Sequence, residues 1–406
     1  MSSHAAAAPI PHTLRQPDRQ AVQSTSPTFV VQTDVGRRWT VGGGPAEFVI
    51  RVSDEAAWQR LSNAGPYEAA KSFVDGRFDI DGDMLAAARW WYGRSRAHDF
   101  SMFDKLKAWL RAAPRFQTLQ HARRNIEFHY DRSNEFYQQF LDQQMVYSSA
   151  YFADSSVSLD GAQTAKLDYV VRKLDLQPNE RFLDVGCGWG ALVIHAAWHR
   201  YATAVGCTLS ARQFNYASRA VRELGMAGRA TIELRDYRTQ TGRFEKIASI
   251  GMYEHVGRRR LGEYFGSLAK LLMPDGLLLN SGIARSETVH DDGATEFLQR
   301  FVFPGGEIPY LTQVIRAAEN AGFEVLDIEN MRRHYAMTCA RWVKRLQERR
   351  QACLSLIDAT TYRTWLLYLA GSAVSFDLGQ SELYQILFGK RSDSAPRRLT
   401  RRYMYT

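Results

Sequence analysis

Three glycines at alternate positions, Gly186, Gly188 and Gly190, follow the apolar run Phe182-Leu183-Asp184-Val185. A glycine turn between a strand and a helix N-terminus lets backbone N–H groups approach a ligand closely. The spacing is not G-x-G-x-x-G, the form that seats a pyrophosphate. With Asp184 ahead of it, this shorter form suits a nucleoside sulfonium, S-adenosylmethionine (SAM). Asp184 is placed to accept hydrogen bonds from, or balance, the cationic amino-acid end. Asp236 follows a later strand, where a carboxylate can accept from the adenine amino group with Tyr237 beside the ring. A carboxylate is expected at the end of the second strand to hold ribose hydroxyls. The sequence there reads Cys207-Thr208-Leu209-Ser210, so Thr208 and Gln213 would offer neutral hydrogen bonds instead.

The elements that must carry these residues follow an α/β pattern from Ala165 onward. Leu167, Val170, Val171 and Leu174 share one helix face. Strands are expected at 181–185, 204–208, 230–234, 247–250 and 277–279, with helices between them and a further strand at 323–326. Strands alternating with helices of this length imply a doubly wound, Rossmann-like sheet with helices on both faces, the class I methyltransferase architecture. A largely helical C-terminal region follows, and residues 391–406 read as a basic, frayed tail.

Upstream, residues 32–99 read as a small α+β unit. Phe48–Val52 and Phe78–Ile80 alternate like strands, Asp54 is placed to cap a helix, and Gly65-Pro66 breaks it. Residues 100–125 form a basic amphipathic segment suited to anionic lipid or to packing as a linker. Residues 1–31, rich in Ala, Ser, Pro and Gln, read as a disordered tail without the basic and apolar regions of a signal peptide.

The chain has 406 residues, 52 Lys plus Arg against 43 Asp plus Glu, and a net charge of +9. Such a chain is drawn to polyanions, either nucleic acid or an anionic membrane. No nucleic-acid recognition motif is present, and no Asn/Asp-Pro-Pro-Tyr sequence follows the fourth strand, so nucleic acid is not expected as a partner. Four scattered cysteines, Cys187, Cys207, Cys339 and Cys353, argue against a disulfide or zinc framework and fit a reducing compartment. No window approaches the about 20 apolar residues of a spanning helix. A cytoplasmic protein resting on the inner face of a membrane is the expectation. A homodimer is left open.

Further motifs carry a family resemblance. Ile126-Glu127-Phe128-His129-Tyr130-Asp131, Asn134-Glu135-Phe136-Tyr137, Met145–Phe152, Leu183–Gly190 and Asp236-Tyr237-Arg238 lie in order. They are followed by Gly251–Gly257, Phe303-Pro304-Gly305-Gly306 and His334–Thr338. Together they resemble the cyclopropane-fatty-acyl-phospholipid synthase family over roughly residues 40–390, and Phe73-Val74-Asp75-Gly76 looks like part of its extra N-terminal domain. The resemblance implies methyl transfer from SAM to the cis double bond of an unsaturated acyl chain in a membrane phospholipid. It adds Tyr147 and Ser148 to Gly186, Gly188, Thr208, Gln213 and Tyr237 as cofactor contacts.

The resemblance also implies a bound bicarbonate as the base, held by Glu, Cys, His, a backbone group near an Ile, and Tyr. Glu254, Tyr335 and Ile283 match. The Cys position is Ser149, and the His position is Ser281, or Asn280 if the register slips. Serine can still donate to an anion, but the lost His removes a cationic donor. The product is therefore expected to be either a cyclopropane or a methyl- or methylene-branched chain, the branch being the outcome that departs from the family pattern. Two other readings stay open: an N-methyltransferase of a small amine, and a relative that binds SAM and lipid for other chemistry.

Overall fold

The computed structural model describes residues 27–97, 133–285, 307–391 and 398–405. The basic segment 100–125 and the motifs at 126–131 and 303–306 lie outside the described residues.

The N-terminal unit comprises β1 (Phe29–Thr33), β2 (Arg38–Val41), β3 (Phe48–Val52), α1 (Glu55–Ser62), α2 (Pro66–Val74), β4 (Phe78–Gly82) and α3 (Met84–Ala97). The sheet order is β2-β1-β3-β4, with β1 and β3 parallel. Asp54 caps α1 by accepting from the Ala57 N–H at 2.7 Å, and Pro66 opens α2, where its missing N–H costs nothing. The expected disordered tail ends too late. Phe29 and Val31 are fully buried, and Phe29 stacks on Phe48 at 4.9 Å. The apolar triplet Phe29-Val30-Val31 lies between β2 and β3 in the sheet, a double pairing that local composition does not reveal.

The second unit begins with α4 (Asn134–Gln138) and α5 (Leu159–Lys173). It continues through β5 (Arg181–Val185), α6 (Ala191–His199), β6 (Thr203–Thr208), α7 (Ala211–Glu223), β7 (Ala230–Leu234) and β8 (Phe244–Ile250). Next come α8 (Tyr253–Val256), α9 (Leu261–Leu271), β9 (Leu272–Ala284), α10 (Leu311–Asn320), β10 (Phe323–Asn330), α11 (Arg332–Glu348), α12 (Arg350–Leu354), α13 (Ala359–Asp377) and β11 (Glu382–Lys390). The seven-stranded sheet runs β10-β11-β9-β8-β5-β6-β7. From β5 the chain steps outward to β6 and β7, then returns to β8 on the other side of β5. That reversal is the switch point at which ligands bind in open α/β sheets.

Two differences from the sequence pattern concern the far end. β11 pairs antiparallel with both β9 and β10 inside a region expected to be helical. Its short apolar run, Ile386-Leu387-Phe388, carries no periodicity that separates a buried strand from a helix turn. Nor are residues 398–405 frayed. Arg398 pairs with Asp175 at 2.7 Å, Arg401 with Asp327 at 2.8 Å, and Met404 is buried.

The long helix α13 joins the two units. It packs on α2, α3 and α11, and its Arg363 pairs with Asp79 of β4 at 2.8 Å. One apolar cluster thus runs from Phe29 and Phe48 through α13 to Phe136, Tyr137, Trp189 and Trp342. The four cysteines are buried and unpaired. Among the described residues no helix is long and apolar enough to cross a membrane.

Candidate active site

At the switch point, β5 ends in Val185 and the backbone turns through Gly186, Gly188 and Gly190, with φ of 79°, 54° and 88°. These are left-handed conformations that side chains disfavour. The N–H groups of Gly186 and Cys187 both donate to the Cys207 carbonyl at 3.0 Å, tying the turn to β6. A Cβ at Gly186 would lie 2.6 Å from the Met252 sulfur, whereas one at Gly188 would meet no atom within 4 Å. Gly188 therefore opens onto space, as a backbone that approaches a ligand requires.

That space is a cavity lined by all nine residues assigned to the cofactor: Tyr147, Ser148, Asp184, Gly186, Gly188, Thr208, Gln213, Asp236 and Tyr237. Thr208 donates its hydroxyl to Gln213 Oε1 at 2.8 Å, and Ser210 caps α7 by accepting from the Gln213 N–H at 3.3 Å. The β6 end of the cavity therefore presents neutral groups. Asp236 differs from expectation. Its oxygens accept from Arg238 Nε and Nη2 at 2.9 and 2.7 Å, and from the Arg238 N–H at 2.9 Å. Those bonds outweigh desolvation and hold its carboxyl below the usual range. The carboxylate expected to face adenine is thus one half of an Asp–Arg pair on the cavity wall. Tyr237 stands edge-on to Tyr264 at 5.5 Å, and burial pushes its hydroxyl up to about 12.

The opposite wall comes from the 142–148 loop. Asp142, itself buried, accepts from the N–H groups of Gln144 and Val146, both at 2.9 Å, and so fixes the turn through Met145, whose φ is 60°. Gln163 on α5 donates to the Ser148 carbonyl at 2.9 Å. Lys166, one turn further along α5, donates to Ser148 Oγ at 3.1 Å and also lines the cavity.

Glu254 sits on the short helix α8 after β8. Its Oε1 accepts from the Ile283 N–H at 2.7 Å, while Oε2 is buried with no partner. Burial pushes its carboxyl up to about 7, the Ile283 bond opposing. Next to it, burial holds His255 down at about 4, so the imidazole is neutral at pH 7. The strand β9 can reach this point only because residue 282 is glycine, since a Cβ there would stand 2.4 Å from the Tyr253 ring.

Of the other assigned residues, Ile283 is the one tied to this carboxylate, through its N–H. Ile283, Tyr147 and Tyr335 pack on one aromatic cluster with Tyr137, Trp342, Trp365 and Phe376. Tyr335 lies 4.6 Å from Phe376, ring to ring, and Tyr147 lies 5.2 Å from Trp342. Asn280 is removed from the register question, because its Nδ2 donates to Tyr264 at 2.7 Å on the other face of the sheet. Alternation along β9 then places Ser281 on the face of Ile283. Ser149 spends its hydroxyl hydrogen on the Ala150 carbonyl at 3.0 Å. Among the described residues, no hydrogen bond joins Ser149 or Ser281 to Glu254.

This geometry has relatives. The family model described as mycolic acid cyclopropane synthetase matches residues 117–386. The chain belongs to that family. As a member it is a SAM-dependent methyltransferase acting on lipid acyl chains. A "Probable fatty acid methyltransferase" of Pseudomonas putida is 36% identical over 360 residues, 87% of this chain and 89% of the relative. The cyclopropane synthase MmaA2 of Mycobacterium tuberculosis superposes with a TM-score of 0.64 at 30% identity, covering 66% of this chain and 98% of that one. The mycolic acid cyclopropane synthase CmaA1, solved with SAH and CTAB, gives the same score at 32% identity, covering 66% and 98%.

Within this synthetase family frame, three residues of the site have no role in the sequence reading: Asp142, Lys166 and Arg238. Asp142 acts only through backbone groups two and four residues ahead. Arg238 is visible as a cation two residues after Asp236, the one local clue to their pairing. Lys166 falls beside Leu167 on a helix whose buried side also carries Val170, and a lysine on such a side is itself the signal that could have found it.

Proposed function

We propose that the protein transfers the methyl group of SAM to the cis double bond of an unsaturated acyl chain in a membrane phospholipid. The product is a methyl- or methylene-branched chain. Bound in the cavity at the switch point, SAM would supply an electrophilic methyl group, leaving a cation on the adjacent chain carbon. Tyr147, Ser148, Asp184, Thr208, Gln213 and Tyr237 would hold it, with the glycine turn beneath. The chain's own residues then have three tasks. They must exclude water, tolerate the cation and take one proton.

The observation that carries this reading is Glu254, with one oxygen fixed by the Ile283 N–H and the other buried and bare. A carboxylate held near pH 7 by burial is tuned to accept a proton under physiological conditions. Tyr335 and Tyr147 offer aromatic faces on the cluster against which Ile283 packs, and such faces ease a nearby cation. Proton loss from the new methyl would close a cyclopropane; loss from a neighbouring chain carbon leaves a methyl-branched alkene, and a 1,2-hydride shift onto the cation followed by loss from the methyl leaves a methylene branch.

Two features favour the branch. Serines replace the thiol and imidazole of the family's bicarbonate site, and Ser149 gives its hydrogen to Ala150. A bicarbonate would therefore find fewer donors, leaving Glu254 as the base. The phospholipid and the anionic membrane surface are inferred from the +9 charge and from the N-terminal unit. The test is a lipid extract from cells expressing the protein, analysed by mass spectrometry and proton NMR. Acyl chains heavier by one CH2 with vinyl or methyl-branch signals are expected. Cyclopropane protons as the sole new signal would overturn the branched product. No mass change would overturn the acyl substrate.

A further inference from the structure

We infer that Lys166, together with Ser148, receives the carboxylate of the amino-acid end of SAM. The inference rests on SAM as the cofactor and not on the choice of lipid or product. Lys166 projects from α5 into the wall of the cavity, and only 3% of the residue is exposed. Its ammonium has three donors, yet a single hydrogen bond, to Ser148 Oγ at 3.1 Å, is made within the described residues. A buried cation with unspent donors is costly unless something anionic meets it.

The two neighbouring carboxylates do not serve. Asp142 and Asp184 are felt by Lys166 only through their fields, and no ion pair joins either of them to it. Asp142 has given one oxygen to the Val146 N–H and the other to the Gln144 N–H. Asp184 stands on β5 two residues before the glycine turn, and its carboxylate accepts no hydrogen bond from the described residues. The pair Asp184 and Lys166 thus offers one acceptor and one cation on the wall of a cavity shaped for a nucleoside. An α-amino acid presents the complement, an ammonium and a carboxylate on one carbon. Burial, opposed by the two acidic neighbours, draws Lys166 down to about 8, and burial raises Asp184 to about 7. Lys166 is therefore still cationic at pH 7, and Asp184 is the group that stands to become fully ionised when the ammonium of a zwitterion arrives.

Calorimetric titration of the purified protein with three nucleosides tests this without recourse to turnover. They are SAH, its decarboxylated analogue, which keeps the amine, and 5′-methylthioadenosine, which lacks the whole amino-acid end. The wild-type protein is expected to bind the decarboxylated analogue at least about tenfold more weakly than SAH, the size of one charge-assisted hydrogen bond. Lys166→Met is expected to weaken SAH by a similar factor and to leave 5′-methylthioadenosine within about twofold. Equal wild-type affinity for SAH and its decarboxylated analogue would overturn the inference, and this arm needs no variant to fold. Equal losses for SAH and 5′-methylthioadenosine in Lys166→Met would also overturn it, since they would make Lys166 a structural cation. Failure of all three nucleosides to bind the wild-type protein would overturn the SAM reading itself.

Discussion

Glu254 and the ring of Tyr253 show how a single strand position can set up a base. Only a glycine at 282 lets β9 pass the Tyr253 ring and bring the Ile283 N–H to the carboxylate. Gly282→Ala should therefore cost about 1–3 kcal/mol, the range for forcing a methyl into a packed core. Its melting temperature should fall and its turnover with it. Glu254→Gln keeps the shape and removes the base, so turnover should drop by about two to four orders of magnitude. SAH affinity, measured by calorimetry, should stay within about twofold, because Glu254 is not part of the cavity wall. The raised pKa sets the sign of the pH response. Glu254 accepts a proton only when ionised, so activity should climb as pH rises through about 7. A rate profile flat from pH 6 to 8, under conditions where chemistry limits turnover, would exclude it as the base.

At the level of elements, the loop before α5 is held by few bonds. Asp142→Ala would free the Gln144 and Val146 N–H groups and release Tyr147 and Ser148 from their position. A loss of about 1–3 kcal/mol in stability is expected, together with weaker SAH binding. Urea titration and calorimetry would read the two effects separately. What could be seen in the sequence divides along the same line. The strands β5 to β8 and the glycine turn were legible because each is a local run with its own punctuation. Thr208 and Gln213, which line the cavity, were legible as neutral groups because an expected carboxylate was missing. Strand β1 and strand β11 were not, since each is made a strand by a partner far away in the chain. The pairing of Asp236 with Arg238 was hidden for a different reason. A carboxylate at the right place was visible, but its geometry with a cation two residues on depends on the short 3-10 turn at Tyr237–Thr239.

For the molecule as a whole, the excess of positive charge makes the proposed membrane surface testable. Vesicles containing anionic lipid should bind the protein and support turnover, and both should fall as salt rises from about 0.05 to 0.5 M, because screening shortens the reach of surface charge. Neutral vesicles should recover little of either. An N-methyltransferase of a soluble amine would be indifferent to vesicles of any composition, so co-sedimentation and product assays in parallel discriminate the two. The C-terminal residues contribute to the same body. Arg398, Arg401 and Met404 bind back on α5 and β10. A chain ending at Arg391 should melt at a lower temperature.

The bridging helix α13 has a practical corollary for anyone wishing to dissect the enzyme. Its outer flank is greasy because the small N-terminal sheet and its helices lie against it, and Arg363 finds its counter-ion there. Cutting the polypeptide ahead of Asn134 would leave that flank wet and the arginine stranded, although the nucleoside crevice would be untouched. A shortened version would then be sticky and self-associating for reasons unrelated to catalysis, so residues 27–97 are better regarded as part of the enzyme's skeleton than as a detachable accessory.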